Sequence, residues 1–207
     1  MNTIYKKTLS LWVSLLIILS TLFLSNCRTP DHDQIYQSKR ENRVILHNNK
    51  KRSYSIYFPL SYQQNKPLPL VIVLHGGGGT SKGMEETLTL GTWNSLADKS
   101  GFVVAYPDGI KKRWNDGLTD IHSYAHNQNI DDVGFISSLI DQLSSEMNID
   151  QQRIYVTGIS NGGMMSFRLA CQLSHKIAAV AAVTASMPEA FAYEPSTPVS
   201  VLIMNGT

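Results

Sequence analysis

Short apolar runs separated by polar segments recur along the chain after residue 43. Residues 44–46 and 53–58 are rich in β-branched and aromatic side chains, and a turn-forming Asn-Asn-Lys sequence lies between them at 48–50. This pattern predicts an antiparallel hairpin. Residues 70–74 and 102–106 are nearly unbroken apolar runs, which are typical of parallel strands buried on both faces.

Helical segments are expected between and after these strands. One is predicted over residues 85–99, an amphipathic one begins at Asp131, and a third begins at Gly162. Further strands are predicted at three places, which are 153–157, 178–183 and 199–204. Because strands alternate with helices, we expect an α/β fold with a mostly parallel sheet and helices on both faces.

The first 27 residues have a separate pattern, that of a targeting segment. Lys6 and Lys7 precede an apolar run over 9–24, and Cys27 follows it closely. This order is similar to a bacterial lipoprotein signal, in which the cysteine becomes lipidated. The apolar run is shorter than the roughly 20 residues that span a bilayer, which argues against an uncleaved anchor. We expect export, with lipid attachment at Cys27 to the cell envelope or release outside the cell.

The remaining chain divides into a polar tether at 28–42 and one domain at 43–207. Without Lys6 and Lys7, the 18 basic residues fall to 16, which equals the 16 acidic residues. This balance and the absence of a long basic block give no sign of nucleic-acid binding. The histidines are scattered and the two cysteines lie far apart, so neither a metal site nor a cofactor is predicted. Cys171 is expected to be a buried, inert thiol.

The stretch 158–162 reads Gly-Ile-Ser-Asn-Gly and lies between a predicted strand and a predicted helix. This is the context of a nucleophile elbow, a sharp turn that holds a serine in a strained backbone conformation. Side chains two residues before and after Ser160 would collide in such a turn, which accounts for Gly158 and Gly162. We therefore interpret Ser160 as the catalytic nucleophile rather than as an idle serine in a glycine-rich turn.

Residues 75–79 read His-Gly-Gly-Gly-Gly and directly follow a predicted buried strand. The tetrahedral intermediate of ester hydrolysis carries negative charge on an oxygen, and backbone N–H groups can stabilise it where glycines allow close approach. We predict donors from the N–H of Asn161 and from the loop, at Gly77 or its neighbour Gly78. A phosphate-binding loop is the weaker alternative, because the sequence lacks Gly-x-x-x-x-Gly-Lys-Ser/Thr.

Together with other motifs, these stretches resemble the polyhydroxybutyrate depolymerase and feruloyl or acetylxylan esterase group, which is carbohydrate esterase family 1 of the α/β-hydrolases. The resemblance runs from about Arg43 to Thr207. It implies an α/β-hydrolase fold and an extracytoplasmic hydrolase of short hydroxyacid polyesters or of acyl groups on plant polysaccharide. The matching stretches are 74–78, 106–109, 114–117, 131–135 and 158–164.

Two further features lie in or near the long polar segment at 110–129. Trp114 is a candidate to line an acyl or aromatic substrate pocket, and packing in the core is the equally weighted alternative. Asp131 and Asp132 match the family pattern, but capping of the following helix explains both, so they are not expected to be catalytic.

The acid and base of a catalytic triad are not evident. A serine nucleophile needs a histidine that a carboxylate orients, and in this fold their order is serine, acid, histidine. After Ser160 the chain has one histidine, His175, which is expected to cap a helix, and two carboxylates, Glu189 and Glu194. The family's His-Gly-Thr-x-Asp turn corresponds to residues 205–207, where Asn205 replaces the histidine.

The earlier histidines, His75, His122 and His126, are not sound substitutes for the base. We therefore expect a copy that lacks the acid, the base, the last strand and the closing helix, and that is at best a very weak esterase. The alternative from another functional class is a non-catalytic lipoprotein that binds a glycan or a polymer. Dipeptidyl-peptidase-like or dienelactone-hydrolase-like activity is a third possibility, and the latter would favour a cysteine where Ser160 stands.

Overall fold

The computed structural model describes residues 38–118, 123–187 and 194–206. These residues build a seven-stranded sheet. The strands are β1 (Lys39–His47), β2 (Lys50–Phe58), β3 (Leu68–Leu74), β4 (Val103–Pro107), β5 (Ile149–Ile159), β6 (Ala179–Val183) and β7 (Ser200–Met204). Their order in the sheet is β1-β2-β4-β3-β5-β6-β7. Strand β2 pairs antiparallel with β1 and with β4, and all the other pairings are parallel.

The predicted hairpin is present as β1 and β2. Asn48 and Asn49 form its two-residue turn, with φ values of 48° and 59°. A hairpin turn of this length favours positive φ at both positions, and asparagine tolerates that conformation better than most residues. The first strand begins at Lys39, before the expected domain start at residue 43, because Lys39 to Asn42 pair in register with β2.

The central strand β3 separates two apolar layers, as the run at 70–74 predicts. Leu70, Ile72 and Leu74 belong to one buried cluster, whereas Val71 and Val73 belong to another. Successive side chains of a strand point to opposite faces, so the sheet has a core on each side. Residues 70–74 are at most 7% exposed.

The helix expected over 85–99 is not continuous. The structure has a π-helix at Gly83–Leu88 and a separate helix α1 at Thr92–Ser100. Between them Leu90 and Gly91 adopt positive φ values of 50° and 69°, which a continuous right-handed helix does not allow. In the long polar segment the structure describes a 3₁₀ turn at Ile110–Lys112 and a short helix α2 at Tyr124–Asn127.

Two longer helices pack against the sheet. Helix α3 (Asp132–Glu146) buries Ile136 and Leu139, and helix α4 (Asn161–Gln172) buries Met165 and Leu169. All four side chains join the cluster that contains Leu70 and Ile72, whereas Ala97 of α1 joins the opposite cluster. Helices therefore cover both faces of the sheet, as predicted.

Strand β7 forms one edge of the sheet, and all five of its residues are exposed. None of the described helices has both the length and the hydrophobicity that a membrane-spanning segment requires. Cys27 and the targeting segment lie outside the described residues. Cys171 is a free thiol in α4, and it is partly exposed rather than buried as expected.

Candidate active site

Ser160 lies at the junction of β5 and α4 in a strained backbone conformation. Its φ is 52° and its ψ is −120°, a region that non-glycine residues rarely adopt, and its side chain is exposed. Backbone strain of this kind is common where a side chain must be held for chemistry. The geometry is that of a nucleophile elbow, in agreement with the sequence pattern.

The glycines around Ser160 are needed because a Cβ at these positions would clash with neighbouring atoms. A Cβ on Gly158 would overlap the backbone carbonyl of Gly162, and a Cβ on Gly162 would lie 2.6 Å from the carbonyl oxygen of Leu74. A Cβ on Gly163 would lie 2.7 Å from the Cβ of Ala185. The close approach at Gly162 brings the first turn of α4 against the end of β3, where the glycine loop begins.

The glycine loop faces the elbow through Gly76. A Cβ placed on Gly76 would be 3.7 Å from the Cβ of Ser160. The adjacent Gly77 and the Ser160 side chain line the same cavity, which fits the predicted role of this loop. Gly78 does not fit that role, because its N–H already donates to the carbonyl of Lys112 at 2.8 Å.

A cavity of about 320 Å³ lies between the elbow and the π-helix. The glycine loop lines part of it, and Met84 and Leu88 of the π-helix line another part. His75 also lines the cavity, but both of its ring nitrogens are engaged. Nδ1 donates to the carbonyl of Gly76 at 2.7 Å, and Nε2 accepts from the N–H of Gly109 at 3.0 Å. Burial lowers the pKa of His75, which agrees with this neutral form.

Trp114 does not line this cavity. The residue is fully buried in the core, and its ring centroid lies 4.9 Å from that of His75. The indole N–H donates to the carbonyl of His75 at 2.9 Å. The proposed contact with substrate is therefore wrong for this structure, and the packing alternative holds. The indole supports the base of the glycine loop.

The Asn161 side chain joins the elbow to the segment that contains Trp114. Its Oδ1 accepts from the Trp114 N–H at 2.8 Å, and its Nδ2 donates to Asp116 at 2.6 Å. Asp116 is also 2.8 Å from Nε2 of His126, so that histidine is held in a buried pair with Asp116. With the side chain fixed, the backbone N–H of Asn161 stays at the first turn of α4, where helical N–H groups lack intrahelical partners.

The two aspartates at the start of α3 have different roles. Asp131 caps the helix and accepts from the Gly134 N–H at 2.8 Å, as expected. Asp132 is not a cap. It is fully buried, forms an ion pair with Arg52, and accepts from the Asn115 N–H at 2.7 Å. Capping therefore explains only one of the two residues.

Within residues 38–118, 123–187 and 194–206, no side chain hydrogen-bonds to the Ser160 hydroxyl. His175 is exposed beyond the last residue of α4, and Glu194 is exposed as well. His122 and Glu189 lie outside the described residues. The described structure thus brings together a candidate nucleophile and candidate oxyanion donors, but it does not bring a base to them.

Sequence reasoning missed three contributors to this site. Gly76 makes the close approach to Ser160, and Met84 and Leu88 form the apolar wall. The spacing of four between Met84 and Leu88 places them on one helical face, which is a weak signal for a shared surface. Nothing in the sequence indicates that this face borders Ser160.

Comparison with known proteins shows that the chain is similar to esterases. The profile of the family described as "Esterase PHB depolymerase" matches residues 52–195. A putative esterase, NocK, from Nocardia uniformis subsp. tsuyamanensis is 34% identical over 141 residues, which is 67% of this chain and 39% of that protein.

Two further relatives carry esterase names. The bifunctional acetylxylan esterase/xylanase XynS20E of Neocallimastix patriciarum is 34% identical over 75% of this chain and 21% of its own length. The probable feruloyl esterase C of Aspergillus niger is 30% identical over 67% of this chain and 48% of its own length. The chain thus spans less than half the length of these relatives.

Solved structures support the fold. A ferulic acid esterase superimposes with a TM-score of 0.57 at 22% identity, over 74% of this chain and 63% of that one. A cold-adapted esterase from an Arctic intertidal metagenomic library also gives a TM-score of 0.57, at 14% identity, over 75% and 65% of the two chains. The fold is that of an α/β-hydrolase, and the chain belongs to the esterase PHB depolymerase family.

Proposed function

We propose that this protein is a serine esterase that forms an acyl-enzyme on Ser160. The observation that carries the proposal is the exposed, strained Ser160, which lies beside the glycine loop and lines a cavity. Its Oγ would attack the ester carbonyl carbon, the alcohol would leave, and water would then release the acid. The N–H groups of Asn161 and Gly77 are the proposed donors to the oxyanion.

The proton of Ser160 needs an acceptor during this attack. Because no described side chain supplies one, we infer that the 207-residue chain hydrolyses esters weakly at most. Removing triad members typically lowers the rate by several orders of magnitude, although the oxyanion donors retain part of the catalysis. Free imidazole in solution can serve as the proton acceptor that no described side chain supplies.

We further propose that the substrate is a short hydroxyacid polyester or an acyl or feruloyl group on a polysaccharide. The family match and the names of the relatives support this range. The protein would reach such substrates by export, with a lipid on Cys27 holding it to the membrane. Incorporation of labelled palmitate tests this attachment: Cys27→Ser should abolish it, and the matched control Cys171→Ser should retain it.

The catalytic proposal is tested by hydrolysis of p-nitrophenyl acetate with and without imidazole. We expect imidazole to raise turnover by the protein above the rate of imidazole alone, and Ser160→Ala to remove that increase. An equal increase in Ser160→Ala would overturn the nucleophile. A high rate without imidazole would overturn the inference of weak activity. A binding protein without catalysis, the alternative function, predicts no rate above imidazole alone in either form.

A further inference from the structure

The segment that follows β4 holds the glycine loop on both sides of its glycines. Asp108 comes directly after β4, and its Oδ1 accepts a hydrogen bond from the backbone N–H of Ser81 at 2.6 Å. Its Oδ2 accepts from the Ser81 hydroxyl at 3.1 Å. The next residue, Gly109, donates its N–H to Nε2 of His75 at 3.0 Å. Asp108 and Gly109 therefore secure the loop where it begins and shortly after it ends.

Asp108 is itself held by strand β2. Its Oδ2 also accepts from the hydroxyl of Ser53 at 2.9 Å, and its backbone N–H donates to the Ser53 carbonyl at 2.9 Å. Its backbone carbonyl accepts from the Arg52 guanidinium at 3.2 Å. Hydrogen bonds to a charged carboxylate are stronger than those between neutral groups. The Asp108 side chain thus connects the end of the glycine loop to the sheet.

This connection lies between two parts of the chain that line the Ser160 cavity. Gly77 lies shortly before Ser81 and Met84 shortly after it, and both line the cavity together with Ser160. The N–H of Met84 donates to the carbonyl of Thr80 at 2.9 Å, so the π-helix begins beside Ser81. A movement of Ser81 would therefore shift the loop and the π-helix relative to Ser160.

The other candidate oxyanion donor, Asn161, is held by the same segment further along the chain. Its side chain accepts from the N–H of Trp114 and donates to the carboxylate of Asp116. Residues 108–116 therefore contact both the glycine loop and the elbow helix. Oxyanion donors stabilise developing charge fully only when they are fixed before the reaction. This segment is placed to fix the two donors relative to each other, and Asp108 is its contact at the end of the glycine loop.

We propose that Asp108 is a positioning residue that holds the glycine loop, and with it the Gly77 N–H, in place for the oxyanion formed at Ser160. Asp108 is not among the described residues that line the Ser160 cavity, so it acts through Ser81 and not on the substrate. The inference rests on the proposed esterase function and adds to it the residue that fixes one oxyanion donor.

The test compares Asp108→Ala with the matched control Asp98→Ala. The Asp98 carboxylate also accepts from a backbone N–H and a hydroxyl, those of Leu60 at 2.9 Å and Tyr57 at 2.7 Å, but neither donor belongs to the glycine loop. Thermal melting should show that both variants fold. In the imidazole-dependent hydrolysis of p-nitrophenyl acetate, Asp108→Ala should lower kcat by about 10- to 100-fold and leave KM within about twofold, because a displaced donor weakens binding of the transition state. Asp98→Ala should leave both constants unchanged.

Two further substitutions at the same position sharpen the comparison. Asp108→Asn keeps an oxygen that can accept from the Ser81 N–H, so it should retain most of kcat. Asp108→Ser has a side chain too short to replace this contact and should behave as Asp108→Ala. An unchanged kcat in both Asp108→Ala and Asp108→Ser would overturn the positioning role. A fall in Asp98→Ala or in Asp108→Asn as large as that in Asp108→Ala would also overturn it.

Amide hydrogen exchange in the Ser160→Ala background separates this inference from the esterase proposal, because it needs no reactive serine. The peptide that contains residues 76–81 should exchange about tenfold faster with Asp108→Ala than with Asp98→Ala, the factor expected from the loss of a hydrogen bond to a charged group. Unchanged exchange would overturn the positioning role even where Ser160 is confirmed as the nucleophile. Faster exchange in a protein that shows no Ser160-dependent turnover would instead refute the esterase proposal.

Discussion

Substitution of Gly162 by alanine tests how closely the elbow helix approaches the glycine loop. The added Cβ would lie 2.5 Å from the carbonyl oxygen of His75 and 2.6 Å from that of Leu74. Both neighbours are backbone atoms at the end of β3, so neither can turn away as a side chain would. The helix or the loop must move, and either movement displaces Ser160 relative to the candidate oxyanion donors.

The magnitude follows from two opposing effects. Overpacking costs about 1–3 kcal/mol, and contact with two backbone carbonyls places the cost at this site at the upper end, about 3 kcal/mol. Alanine recovers about 1 kcal/mol because it favours helix more than glycine does. The net loss is about 2 kcal/mol, which lowers the melting temperature of a domain of this size by roughly 4–8 °C.

Differential scanning calorimetry of Gly162→Ala and of the matched control Gly206→Ala measures this effect. Nothing lies within 4 Å of a Cβ on Gly206, so the control should melt with the unsubstituted protein. The imidazole-dependent hydrolysis attributed to Ser160 should fall in Gly162→Ala and persist in the control. A melting temperature unchanged by Gly162→Ala would refute the close packing of the elbow on the loop.

Three further outcomes are expected. Asp132→Asn leaves the buried Arg52 without its ion-pair partner, so the free energy of unfolding measured in urea should fall by about 3–5 kcal/mol. Replacing both residues by apolar ones should recover much of this stability. A double variant as unstable as Asp132→Asn would contradict the pairing. Trp114→Phe leaves the His75 carbonyl without the indole N–H, and the free energy of unfolding in the same assay should fall by about 2 kcal/mol. Because burial lowers the pKa of His75 below its unfolded value of about 6.5, stability conferred by the neutral ring is present above that pH and is lost as the pH falls. Unfolding free energies at pH 7 and 5 should therefore differ more in the unsubstituted protein than in His75→Asn, and equal differences would exclude this role of the ring.

The features that the sequence predicts well depend on local geometry. A turn that strains Ser160 requires small residues on both sides, so Gly158 and Gly162 could be interpreted without knowledge of the rest of the fold. The strand β3 was equally clear, because an unbroken apolar run suits a strand that is buried on both faces.

The missed features depend on residues that are distant in sequence. The buried partner of Asp132 is 80 residues away in β2, and no periodic pattern connects the two. The sequence allows Trp114 either to line a pocket or to fill the core. Its contact with His75, which distinguishes the two roles, forms only in the folded protein. The sequence does not indicate the helix break at Leu90, because leucine favours helix. In the structure, Glu85 is anchored by contacts with Arg40 and Asn94, and the turn at Leu90 follows this anchored segment.

The acyl-enzyme on Ser160 is tested most directly by reaction with a fluorophosphonate in the presence of imidazole, followed by mass spectrometry of the digested protein. We predict one adduct per chain, on the peptide that contains Ser160, and none in Ser160→Ala. Absence of an adduct on that peptide, or an adduct that persists in Ser160→Ala, would contradict the assignment of Ser160 as the nucleophile.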